Sequence, residues 1–149
     1  MAQRAMPAWT IWYVDAFPPL ASLSVLLAWR WGSSTELIVA MIYVIGTDAQ
    51  KAVTEVVGLR FVHFEPIVAT VDVAVLLGLV LLAYRRPRLW LLGSAALQFV
   101  GCLGHAAKLF QPAMPALVYE ILAGSAGYPL LVLLWLGTAT ARRRGSPPG

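Results

Sequence analysis

Thr47-Asp48-Ala49-Gln50-Lys51-Ala52-Val53-Thr54-Glu55 puts three charged residues where the hydropathy of the surrounding chain asks for lipid. Upstream the chain is apolar over 37–46, and downstream it returns to Val56, Val57 and Leu59. The simplest reading is one helix over about 36–59, on which Asp48, Lys51 and Glu55 fall at i, i+3 and i+7 and share a face. Thr47, Gln50 and Thr54 flank that face. A charged side chain at membrane depth costs several kcal/mol unless it meets a partner or water. The stripe is therefore expected to point into a protein interior, with the other helices arranged to receive it.

The rest of the chain supports this class. Of its 149 residues, 60% are hydrophobic and 12% charged, about half the charged share of a soluble domain. Long apolar segments recur between short polar breaks, as in an all-α, multi-pass membrane protein. The spacing predicts five transmembrane helices at about 9–31, 36–59, 66–84, 89–110 and 115–139. They form a single bundle domain over 1–141, with a basic, disordered tail at 142–149. Pro18-Pro19 is expected to kink or break the first helix. Ser33 followed by Glu36 reads as a capping box opening the second. Pro66 suits the first helical position of the third. Pro129 frees the carbonyl of Ser125 within a small-residue patch, 124–127. Trp29 and Trp31 read as interfacial belt residues. Arg4 is followed by no clean signal-peptide pattern, so the first segment reads as a retained span.

Arg30, the cluster Arg85, Arg86 and Arg88, and the run Arg142-Arg143-Arg144 all fall on one side of such a bundle. The positive-inside rule makes that side cytoplasmic and the N-terminus external. The basic clusters read as topology signal and headgroup contact, with no nucleic-acid patch. Every ionisable residue inside a span then sits at the midplane or in the outer half. The inner halves, 20–28, 37–45, 76–83, 89–92 and 130–136, carry no charge. A bundle closed on the cytoplasmic side, with a polar, hydrated cavity open to the outside, is expected.

The candidate ligand- or ion-binding residues are Asp15, Asp48, Lys51, Glu55, Asp72, Gln98, His105 and Glu120. Gln98 and His105 belong to a second stripe, Ser94, Gln98, Gly101, His105 and Lys108, on one face of the fourth helix. Each has a plainer role available. The Asp48/Lys51/Glu55 stripe fits a register-fixing charge cluster, His105 a core histidine bonded to a carboxylate, Asp15 a surface residue, and Glu120 a helix-end acid. Two histidines and one cysteine, Cys102, provide neither a disulfide nor a metal or haem site. No nucleophile–base, phosphate-loop or nucleotide motif is present, and no cofactor is expected. Asp72 is the one charge in the third helix, and Lys51 and His105 are the cations at its depth. Helices two, three and four are therefore expected to pack as neighbours with Asp72 bridging to Lys51 or His105. On that basis Lys51→Met should destabilise more than Asp48→Asn.

The stretches Ala28-Trp29-Arg30-Trp31-Gly32, Tyr84-Arg85-Arg86-Pro87-Arg88-Leu89-Trp90, Gly104-His105-Ala106-Ala107-Lys108-Leu109 and Gly127-Tyr128-Pro129-Leu130-Leu131, together with Gln98, resemble a group of small, uncharacterised bacterial inner-membrane proteins. The resemblance implies a multi-pass inner-membrane protein and no activity. The architecture is also similar to the emopamil-binding and sigma-2-receptor group, with no motif that carries a residue over. Three functions fit these features. One is an outward-facing cavity that binds a small cationic or amphipathic ligand or conducts protons or cations. The second is an accessory or assembly subunit, partnered in the bilayer by a second copy or a larger complex. The third is a membrane-embedded acid–base enzyme acting on a lipidic substrate, with Glu55 or Asp72 paired to His105.

Overall fold

The computed structural model describes residues 8–57 and 63–145, with side chains over 16–55 and 63–143. Six helices follow in order: α1 (Ala8–Trp31), α2 (Ser34–Val57), α3 (Pro66–Arg85), α4 (Leu89–Phe110), α5 (Ala116–Gly124) and α6 (Gly127–Gly145). No strand occurs among the described residues. The stretches Ser34–Glu55, Pro66–Arg85, Leu89–Phe110 and Ala116–Arg143 are long and apolar enough to cross a membrane.

Local chemistry explains the boundaries. The Glu36 carboxylate accepts from the Ser33 backbone N–H at 2.9 Å, while the Ser33 hydroxyl accepts from the Thr35 N–H, so the expected capping box opens α2. Pro66 starts α3, where its missing N–H is no loss. Pro87 and Pro112 lie just beyond the ends of α3 and α4. The fifth predicted span is two helices, parted at Ser125-Ala126 one turn before Pro129, where the proline leaves the Ser125 carbonyl without its helical donor.

Helix α1 runs through Pro18-Pro19, so of the kink or break expected there the break does not occur. The Ser22 hydroxyl donates back to the Pro18 carbonyl at 3.0 Å, one turn earlier in the same helix. Helix α6 continues through Gly145, so its described range takes in residues 142–145 of the basic tail. Arginine is a good helix former. The predicted end of the second span at 58–59, and residues 146–149, lie outside the described residues.

The helices close into a ring. Helix α1 packs on α2, α2 on α3, α3 on α4, and α4 on both α5 and α6, while α6 returns to α1 and also touches α2. The core holds Ala21, Ala28, Val39, Ala40, Tyr43, Leu79, Ala83, Leu91, Ala95, Ala126, Leu130, Leu131 and Leu134. Most lie in the stretches that carry no charge. Its many alanines let the backbones approach closely, which matters where lipid provides no hydrophobic drive between helices. Gly137 does the same for a ring: a Cβ there would fall 2.6 Å from the Trp90 indole.

The charge-free half ends at what we call the basic end, formed by the α1–α2 turn, the α3–α4 turn and the last turns of α6. A polar clasp joins the two turns there. Arg88 forms an ion pair with the fully buried Glu36, and Arg86 donates to the hydroxyls of Ser34 and Thr35 at 2.9 and 3.0 Å. Two arginines that read in sequence as topology signal thus also tie α2 to the α3–α4 turn. Trp29 and Tyr84 are exposed at the same end, at belt positions.

Candidate functional site

The fourth helix carries the organising stripe. Ser94, Gln98, Gly101, His105 and Lys108 are all buried, so the face predicted from their +4, +3, +4, +3 spacing is the one α4 turns inward. Helix α3 lies against it and brings Asp72 to the middle of the stripe. The His105 Nε2 is 2.7 Å from Asp72 Oδ2. The other carboxylate oxygen, Oδ1, accepts from the Gln98 amide at 3.0 Å and from the Gln50 amide of α2 at 2.8 Å. The expected bridge from Asp72 to His105 is therefore present, and α2, α3 and α4 all contribute to it, with α3 in the middle.

On its far side, His105 Nδ1 is 2.7 Å from the Tyr119 hydroxyl of α5. The two rings meet edge to face, 86° apart. The Tyr119 oxygen also accepts from the Glu65 backbone N–H at 3.5 Å. Tyr119 and His105 are 0% and 3% exposed. Gly104 makes this meeting possible: a Cβ there would lie 3.1 Å from the α5 backbone at Leu122 and Ala123. Gly104 thus serves as a point of close approach between α4 and α5.

Lys108 closes the end of the stripe. Its buried ammonium donates to the carbonyls of Pro112 at 3.1 Å and Met114 at 2.7 Å, and lies 5.9 Å from the Tyr119 ring centroid. Lys108 is thus the side-chain donor for two backbone carbonyls of the α4–α5 break.

The two oxygens of the Asp72 side chain thus have three side-chain nitrogens at hydrogen-bond distance. The consistent tautomer has His105 Nε2–H donating to Asp72 and Nδ1 accepting from the Tyr119 hydroxyl.

The Asp48/Lys51/Glu55 stripe is not received by the other helices. Asp48, Lys51 and Glu55 are exposed and form no ion pair or hydrogen bond with one another or with any other described residue. Helix α2 instead turns Val39, Tyr43, Gly46 and Gln50 inward. The reason is packing: Val39, Ala40, Tyr43 and Gly46 fit the faces of α1 and α3, and charge alone does not choose a face. Lys51 therefore strands no acid, and Lys51→Met loses the basis for a large destabilisation. Glu120 is half-buried on α5 and forms no ion pair among the described residues. Asp15 lies on α1, with its side chain outside the described residues. Of the candidates, then, the structure unites Asp72, Gln98 and His105.

Gln50, Tyr119 and Lys108 are the additions. The signal for Tyr119 was the second nitrogen of His105, which needs a partner once the first is bound. Among the described residues no three of His, Cys, Asp and Glu come together as metal ligands would. Comparisons of the chain with protein-family models, with curated proteins and with solved structures find no match.

Proposed function

We propose that this is a five-span membrane protein whose Asp72–His105–Tyr119 chain accepts a proton, or a small cation in its place, from the side opposite the basic end. Support comes from one observation above the others: His105 bridges a carboxylate and a phenol at 2.7 Å on each side, deep in the bundle. Every polar atom of that chain already has a close neighbour, so a proton is the cation it takes with least rearrangement. In this topology the N-terminus is external and the basic end cytoplasmic, as the positive-inside rule requires. The resemblance set out above supports a bacterial inner membrane as its location. The apolar core between Asp72 and the basic end favours uptake and release on one face over conduction across the bilayer. Infrared titration of the detergent-solubilised protein from about pH 4 to pH 9 tests this. We expect a protonation step carrying carboxylate and imidazole bands that disappears in Asp72→Asn, an isosteric change. Equal proton uptake by the parent and Asp72→Asn would refute it.

A second function, that of a subunit in a membrane complex, is favoured by the outward charges of α2. Asp48 lies about 21 Å along α2 from Ser34, too deep for its short side chain to reach headgroups. Another membrane chain covering this face would satisfy it. In mild detergent the parent is expected to purify with a stoichiometric partner chain, and the triple variant Asp48→Ala/Lys51→Ala/Glu55→Ala without it. A parent that runs as a monomer counts against a subunit role.

A further inference from the structure

At the basic end α1 and α6 part to leave a lateral groove of about 400 Å³. Leu27, Trp135, Thr138 and Ala139 line it together with Trp31, Arg142 and Arg143. The Arg142 guanidinium lies over the Trp31 ring, 5.1 Å from its centroid, which holds the charge at the lip of the groove. From Trp135 to Arg142 is two turns of α6, or about 10 Å; this wall is apolar but for Thr138, whose hydroxyl is turned back to the Leu134 carbonyl, and it ends in two cations. A second groove, on the other side of α6, is lined by Pro87, Arg88, Leu89, Trp90, Leu136 and Thr140. Its arginine is already neutralised by Glu36. The first groove is bordered by two arginines and the second by one.

We propose that the α1/α6 groove binds an anionic phospholipid, with an acyl chain against Leu27, Trp135 and Ala139 and the headgroup phosphate on Arg142 and Arg143. An apolar wall leading to a paired positive charge at the membrane surface matches such a lipid along its length. A free phosphate would use only the mouth. A zwitterionic lipid has the phosphate but also a compensating cation. None of these residues belongs to the proton site, so the inference rests on the helices' lying in a bilayer and not on what Asp72 does.

The test measures binding of phosphatidylglycerol, phosphatidylcholine and inorganic phosphate to the full chain in detergent, by native mass spectrometry and by thermal shift. The expected result is phosphatidylglycerol bound on the order of tenfold more tightly than phosphatidylcholine, with no competition from millimolar inorganic phosphate. Arg142→Gln/Arg143→Gln should abolish that preference. Ala139→Trp, which fills the groove and keeps both arginines, should abolish it too, while Asp72→Asn leaves it intact. Equal binding of the two lipids overturns the proposal. So does a preference that survives Ala139→Trp, which would reduce the site to a surface charge effect, and so does full competition by phosphate.

Discussion

Replacing Arg88 with methionine is expected to destabilise the protein by about 3–5 kcal/mol, the largest effect of any single substitution considered for this chain. Glu36 is fully buried, and its carboxylate is paired with Arg88 while it also accepts from the Ser33 backbone. Methionine fills much of the same volume but leaves that carboxylate without its countercharge. The cost is the desolvation of the stranded anion, and it exceeds what the ion pair itself contributes. The double variant Arg88→Met/Glu36→Gln should recover most of the loss, because a neutral amide can still accept from the Ser33 N–H. Thermal unfolding in detergent, followed by tryptophan fluorescence, measures both. An Arg88→Met protein as stable as its parent would show that the clasp between the α1–α2 and α3–α4 turns does not hold the bundle.

Lys108→Met is expected to cost about 2–4 kcal/mol, through a different route. The Lys108 ammonium is the donor for the Pro112 and Met114 carbonyls in the α4–α5 break. Its position in the last turn of α4 also places a cation at the negative end of the helix dipole. Without it two carbonyls lose a charged donor, and α5 loses the contact that sets Tyr119 over the ammonium. The consequence should extend to the proton site, since Tyr119 holds His105 Nδ1. Lys108→Met should therefore both lower the unfolding temperature and alter the imidazole bands of the infrared titration. Lys108→Arg, which keeps a donor at reduced fit, should fall between. A Lys108→Met protein with normal stability and an unchanged titration would separate the break from the site.

The helix boundaries were open to reading because they depend on local chemistry. Ser33 and Glu36 cap α2, Pro66 opens α3, and the prolines at 87 and 112 close what precedes them. The charge-free halves were equally plain, and they became the core. The pairing of Asp72 with His105 followed from scarcity: a lone acid in one helix needs a cation at its depth, and few exist.

What the sequence alone determined about this protein is therefore which segments are helical, which half of each is apolar, and that Asp72 and the α4 stripe need partners. It could not rank two polar stripes of similar spacing. Asp48, Lys51 and Glu55 carry more charge than the α4 stripe, and yet α4 turned inward and they turned outward. Only the tertiary structure decided this, because a helix faces the way its small and apolar residues pack. The tight approach of α5 at Gly104 and the fit of Val39, Ala40, Tyr43 and Gly46 against α1 and α3 are properties of two surfaces together. Tyr119 joined the site, and Arg88 met Glu36, for the same reason: the partners lie on different helices, and no spacing along one chain records the distance between them.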